Sequence, residues 1–197
     1  DGERPPLLVF LHGGPTSACY PVFDARIQFW TQRGFAVADL NYRGSTGFGR
    51  RYRQRLHQQW GVVEVEDICA LVHSLIEHDK VNPQQVCVRG ASAGGYSALL
   101  AIAASPNFAA AASLYGVSDP DSLRKVTHKF EGDYLDWLLG SPEQFVVRAP
   151  LEQVAQINTP VIFFQGGRDV VVVPEQTADM VSALKQQGVT VAYHLYP

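Results

Sequence analysis

The sequence predicts an α/β protein, a mostly parallel sheet with helices on both faces, and three observations carry that expectation. Short apolar runs of strand length recur from one end of the chain to the other, as in Leu7–Leu11 and Val161–Phe164. Between most of them lie segments whose apolar residues follow helical spacing. The strand runs are also continuously apolar, the pattern of strands flanked by helices in a parallel sheet. With 197 residues, the chain reads as one domain large enough to bury most of its apolar surface. Hydrophobic residues at 46% and charged residues at 18% describe a soluble globular protein.

Taken in order, residues 1–6 form a polar lead-in to a first strand, Leu7–Leu11. Phe23–Arg33 reads as a helix closed by Gly34, since glycine favours the position just past a helix end. Phe35–Leu40 is a second strand, followed by the polar loop Asn41–Arg50. Ile68, Leu71, Val72, Leu75 and Ile76 recur at helical spacing, with His73, Glu77 and His78 falling elsewhere. Val86-Cys87-Val88 reads as a buried strand and Tyr96–Ala104 as a helix, before a further strand at Ala109–Tyr115. From Ser118 to Arg148 the pattern turns irregular and aromatic (Phe130, Tyr134, Trp137, Phe145), which reads as a helical insertion on top of the sheet. Val161–Phe164 resumes the strands. Glu175–Gln187 is an amphipathic helix stopped by Gly188, and Thr190–Tyr196 is the last strand. No internal repeat or second domain interrupts the order.

A net charge of −3 argues against nucleic acid or an anionic membrane as the main partner. The cluster Arg50, Arg51, Arg53 and Arg55 reads as a solvated loop-to-helix segment. The apolar runs fall far short of a membrane span, and no signal-peptide pattern opens the chain. Cys19, Cys69 and Cys87 are an odd set with neither metal-ligand spacing nor a disulfide framework. Cys69 and Cys87 read as small core residues, which fits a reducing, cytoplasmic compartment.

Chemistry concentrates at three expected strand ends, where such sheets place their sites. Gly90-Ala91-Ser92-Ala93-Gly94-Gly95 fits a nucleophile elbow, in which a serine sits on a sharp strand-to-helix turn. Its neighbours two before and two after must be small so that strand and helix can close. The N–H of Ala93, opening the helix, is then aimed where an oxyanion would form. The first strand runs into His12-Gly13-Gly14-Pro15, whose glycines let backbone N–H groups approach a ligand as second oxyanion donors. Val161–Phe164 runs towards Asp169, placed to orient a catalytic histidine. The order Ser…Asp…His is that of the α/β-hydrolase fold. Only His194 follows Asp169, and period-two alternation sets it inside a strand, so it reads as a strand residue rather than the base. No metal or organic cofactor is required.

With these residues in place, the chain closely resembles the catalytic domain of the prolyl oligopeptidase family of serine peptidases. The resemblance covers His12–Pro15, Gln28-Phe29-Trp30, Arg33-Gly34-Phe35 and Asn41–Gly49. It continues through Trp60-Gly61, Gly90–Tyr96, Tyr115–Asp119 and Gln165-Gly166…Asp169…Pro174. It implies Ser92 as nucleophile, Asp169 as the triad acid, and oxyanion donors from Ala93 and Gly13 or Gly14. His12 stands where prolyl oligopeptidase and dipeptidyl peptidase branches carry a tyrosine, which is more like the acylaminoacyl-peptidase branch. Val173 departs from a frequent Val-Pro-Pro run.

The family's β-propeller lies upstream of this domain and is absent from 1–197. Its catalytic histidine follows a Tyr/Phe-Pro ending like Tyr196-Pro197, so the hydrolase domain is expected to be incomplete at its C-terminus. The resemblance implies a peptide or acyl-amino-acid substrate, with Phe130, Tyr134 and Trp137 as a wall of its pocket or as core. A carboxylesterase with the same triad, or a non-catalytic binding module of this fold, are the other readings.

Overall fold

The computed structural model describes residues 4–127 and 129–197, the side chains of 129–131 excepted. Six strands form one sheet: β1 (Leu7–Leu11), β2 (Ala36–Leu40), β3 (Val86–Ala91), β4 (Ala110–Leu114), β5 (Val161–Gly166) and β6 (Val191–Tyr196). Their order is β2-β1-β3-β4-β5-β6, and every pairing is parallel. The chain moves outward from β1 to β2, returns past β1 to β3, and then runs steadily to the opposite edge. The order therefore reverses at the β1/β3 boundary, the position at which open parallel sheets leave a crevice.

The helices are α1 (Ala25–Thr31), α2 (Arg50–Arg53), α3 (Val63–Glu77), α4 (Ala93–Ala104), α5 (Pro120–Val126), α6 (Lys129–Leu139), α7 (Pro142–Val147) and α8 (Pro174–Gln186). Right-handed crossovers send the β1–β2 connection to one face and all later ones to the other. Both faces thus carry helices, but unequally: α1 on one, and α3, α4 and α8 on the other. The strands record this asymmetry. In β3 the side with Val86, Val88 and Gly90 is buried, whereas Cys87, Arg89 and Ala91 are half-buried; β5 alternates likewise.

The main core lies on the fuller face. There Val9, Val88, Ala111 and Phe163 meet Ile68 and Val72 of α3, Leu99 and Ile102 of α4, and Met180 and Leu184 of α8. Helix α4 is buried from Ala93 to Ile102, which is why its sequence is apolar all round rather than striped. A second apolar cluster joins Trp60, Tyr96 and Leu100 to Val117, Leu123, Leu135, Leu138 and Phe145. It seats the insertion, which resolves into α5, α6 and α7. Arg124 grips Asp136 through two bonds of 2.8 and 2.9 Å across α5 and α6. The Gln58 N–H donates to Trp137 O at 2.9 Å, and Arg148 Nη1 donates to Gln58 O at 3.0 Å and Trp60 O at 3.1 Å.

Boundaries differ from the sequence reading by one to three residues. Helix α1 starts at Ala25 because Asp24 is extended and its carboxylate accepts the Arg26 N–H at 2.8 Å, an N-cap. Helix α4 starts at Ala93, three residues before the Ala- and Leu-rich run. Among the described residues, no helix is long and apolar enough to cross a membrane.

Candidate active site

Strand β3 ends at Ala91 and α4 begins at Ala93, so Ser92 alone makes the turn. Its backbone has φ 54° and ψ −121°, a region costly for any side chain, on the order of 1–3 kcal/mol. The turn is pinned on both sides: the Ser92 N–H donates to Leu114 O at 2.9 Å, and Ser92 O accepts from Tyr96 N at 3.1 Å. The flanking glycines are required by contact. A Cβ on Gly90 would fall on the Gly94 carbonyl, and one on Gly94 would fall on Leu11 O and stand 2.8 Å from His12 O. Ser92 is half-buried, and its hydroxyl has no hydrogen-bond partner among the described residues. The Ala93 N–H, first in the helix, has no intrahelical acceptor.

The His12–Pro15 loop lies against this turn: a Cβ on Gly13 would stand 3.1 Å from Ala91 O and 3.7 Å from Ser92 Cβ. The polar loop after β2 holds it there. Tyr42, fully buried, donates its hydroxyl to His12 O at 2.9 Å and stacks on the His12 ring at 4.2 Å. His12 Nε2 meets Ser45 Oγ at 2.7 Å. Asn41 bonds both the N–H and the C=O of Cys19, at 2.9 and 3.0 Å. Burial lowers the His12 pKa and so favours the neutral ring. Its bonds make it a brace for the glycine loop.

Asp169 lies just past β5, at the same end of the sheet as Ser92, with β4 between the two strands. One carboxylate oxygen accepts the N–H groups of Val171 and Val172 at 2.9 and 3.0 Å. The other oxygen has no partner among the described residues. Gln165 steadies the loop, donating to Val172 O at 2.9 Å while accepting from Thr177 Oγ1 at 2.7 Å. The Gly167 N–H donates to Tyr196 O at 2.6 Å, which brings the end of β6 beside the Asp169 loop.

No described histidine reaches Ser92. His194 sits within β6 with its ring stacked on Phe164, centroids 5.4 Å apart. His57 leans on Trp137, His73 pairs with Glu77, and His78 bonds Ser74 O. His128 lies outside the described residues.

Ser92 and Ala93 open onto a cavity of about 160 Å³ walled by Trp60, Val117, Leu135, Leu138 and Val172, with Gly14, Pro15 and Tyr134 at its edge. Of the aromatic residues expected to line a pocket, Tyr134 does so, its hydroxyl 2.7 Å from Thr16 Oγ1. Trp137 lies on the far side of Tyr134, in an adjoining cavity, and the Phe130 side chain lies outside the described residues. The aliphatic lining was missed by sequence reasoning, because these residues are spread over three separate segments. Among the described residues, no group of three or more His, Cys, Asp or Glu side chains is placed to hold a metal ion.

Glu64 was also missed. It is fully buried in the first turn of α3, where one oxygen accepts the Gly61 N–H at 2.6 Å and the Ser97 hydroxyl at 3.4 Å. Its other oxygen, the Tyr96 hydroxyl and the Trp60 indole N–H are buried without partners among the described residues. Burial pushes the Glu64 carboxyl up to about 7.

A parallel sheet with a strained serine between its third strand and the following helix defines an α/β-hydrolase. Residues 21–197 match the model of the prolyl oligopeptidase family, and the chain belongs to that family. It is 27% identical to dipeptidyl aminopeptidase BIII of Pseudoxanthomonas mexicana, over 98% of this chain and 29% of that protein. It is 29% identical to the acylamino-acid-releasing enzyme of Mus musculus, over 100% of this chain and 28% of that protein. Among solved structures, a puromycin-hydrolyzing peptidase of Mycobacterium tuberculosis superposes with a TM-score of 0.96 at 41% identity, covering 100% of this chain and 30% of that one. An acylaminoacyl peptidase of Pyrococcus horikoshii shares the fold with a TM-score of 0.92 at 22% identity, covering 100% of this chain and 33% of that one. The chain thus spans roughly a third or less of the length of these relatives.

Proposed function

We infer that the chain is the hydrolase domain of a serine peptidase that cleaves peptide or acyl-aminoacyl amide bonds. The observation that carries this reading is Ser92, held in strained backbone between the Gly13-Gly14 loop and the first N–H of α4, at the mouth of an apolar cavity. In the reaction, Ser92 Oγ attacks the acyl carbon while a histidine takes its proton. The oxyanion is held by the N–H of Ala93 and of Gly13 or Gly14, each such donor being worth about 3 kcal/mol. The histidine then returns the proton to the leaving amine, and water releases the acyl-enzyme. Asp169 orients that histidine through its free carboxylate oxygen. The apolar cavity receives an apolar side chain on the acyl side of the bond.

In this reading none of the described histidines is the base, and we propose that it lies beyond Pro197. Three facts support this: the short span relative to relatives, the position of His194 within β6, and the Gly167–Tyr196 bond beside Asp169. The names of the relatives, peptidases and acylamino-acid-releasing enzymes, support the amide reading.

The test is labelling by a fluorophosphonate probe. The isolated 197-residue chain stays unlabelled, because an unassisted serine hydroxyl is a weak nucleophile and loss of the histidine costs on the order of a millionfold. The full-length protein labels at Ser92, and so does its His194→Ala variant. Absence of label at Ser92 in the full-length protein overturns the reading. Rapid labelling of the short chain, lost on His194→Ala, makes His194 the base instead.

A further inference from the structure

Arg50, Arg51, Arg53 and Arg55 crowd six positions of α2 and the turn after it, and none forms an ion pair among the described residues. They divide into two kinds. Arg50 and Arg53, three apart on one helix face, both line a cavity of about 370 Å³ with Thr16, Gln54, Tyr134 and Trp137. The same two line a neighbouring hollow with Thr46, Gly47 and Gly49. Arg51 and Arg55 line neither. Among the described residues no carboxylate lines either space, so the two arginines of one helix face border a hollow without a counter-charge there.

Tyr134 connects this hollow to the candidate active site. It stands at the edge of the apolar cavity at Ser92 and in the wall of the basic one. Its hydroxyl is tied to Thr16 Oγ1 at 2.7 Å, and its ring lies 11° from parallel with that of Trp137. A ligand seated at Ser92 therefore has the two arginines just across one aromatic ring. Arg50 and Arg53 are both exposed, and guanidinium groups match carboxylates in two-point geometry.

We propose that Arg50 and Arg53 form an anion subsite that selects substrates bearing a carboxylate within one or two residues of the bond that is cut. This rests on the peptidase reading of Ser92. The carboxylate belongs either to an acidic side chain or to the peptide's own C-terminus, and the hollow is open enough to admit both.

The experiment uses the full-length protein and blocked peptides with leucine on the acyl side of the bond. Three pairs are compared: Glu against Gln before the leucine, Glu against Gln after the cut bond, and a free against an amidated C-terminus. At least one pair shows a preference of about tenfold in kcat/KM for the carboxylate, and the pair that does so identifies its source. The preference shrinks as ionic strength rises. It collapses towards unity in the Arg50→Gln/Arg53→Gln double variant and persists in Arg51→Gln/Arg55→Gln. Equal rates within all three pairs overturn the proposal, as does a preference that survives the first double variant. If no peptide is cleaved and Ser92 does not label, the peptidase reading has failed. Calorimetric titration with acetyl-Glu-Leu-amide, acetyl-Gln-Leu-amide and free acetyl-leucine then decides the anion subsite by itself. Binding confined to the carboxylates and lost in Arg50→Gln/Arg53→Gln sustains it, and equal binding or none overturns it.

Discussion

Gly94 has room for a hydrogen only, because the carbonyl oxygens of Leu11 and His12 occupy the space a side chain would need. Those oxygens belong to the strand end that carries the glycine loop, so Gly94, like Gly13, is a point at which the two halves of the site pack against each other. Gly94→Val is expected to cost about 3 kcal/mol or more in urea unfolding, as overpacking and backbone displacement combine. In the full-length protein it also abolishes labelling of Ser92. Glu64 gives a prediction of a different kind. Its carboxyl keeps a proton up to about pH 7 in the folded chain, against an ordinary value of 4.5. Between those values the native state binds more protons than the unfolded one, so stability falls as pH rises through that window. Above it the loss is complete, at about 3 kcal/mol. Glu64→Gln removes this loss, so its stability relative to wild type improves by about that amount between about pH 5 and about pH 8. Unfolding curves that shift equally at both pH values would refute the assignment. Ser92, Gly90 and Gly94 were legible in the sequence because the turn forces small residues at fixed offsets. Glu64 was not, since Val63-Glu64-Val65-Glu66 reads like the solvated start of a helix.

Helix α8 reaches the site through Gln176 in its first turn. The Gln176 side chain accepts the N–H groups of Ser118 and Asp119 at 3.0 and 3.1 Å and donates to Asp119 O at 2.9 Å. The Ser118 hydroxyl returns a bond of 2.7 Å to Gln176 O. These bonds fix the link from β4 to the insertion, and hence where Val117 and Leu123 meet the cavity at Ser92. Gln176→Leu leaves three backbone groups unpaired and is expected to cost about 3 kcal/mol or more. Hydrogen exchange at Ser118 and Asp119 should accelerate in step, and unchanged exchange there would count against the clamp. The strands were readable because each is a short apolar run between polar segments. The helix starts were less so: α1 begins where Asp24 caps it, and α4 where the strained serine releases the chain. The three helices of the insertion were not separable in advance. Their apolar residues pack on Trp60 and Tyr96 rather than on the sheet, so no single periodicity describes them.

At the scale of the molecule, the site draws on the ends of β1, β3 and β5 and on an insertion far along the chain. Substrate class is a property of that whole assembly. Offered aminoacyl amides, acyl-peptides and simple esters, the full-length protein is expected to turn over the amides. Strong ester turnover with no amide cleavage across the panel would instead favour a carboxylesterase. Strand-end motifs mark Ser92 and Asp169 as candidates in the sequence, and the structure sets both at the same end of the sheet. The cavity was not marked there, because Trp60, Val117, Leu138 and Val172 converge only in three dimensions. The all-parallel pairing has one more consequence, for how the site comes into being. β1 binds β3, about eighty residues away in the chain, and no two neighbouring strands are joined by a hairpin. Such non-local pairing makes collapse slow and exposes unpaired strands while it lasts. The tense geometry at Ser92 depends on Leu114 and on the glycine loop, so it is acquired only once β1, β3 and β4 lie side by side. Reactivity at Ser92 should therefore emerge late in refolding, after helical signal has returned.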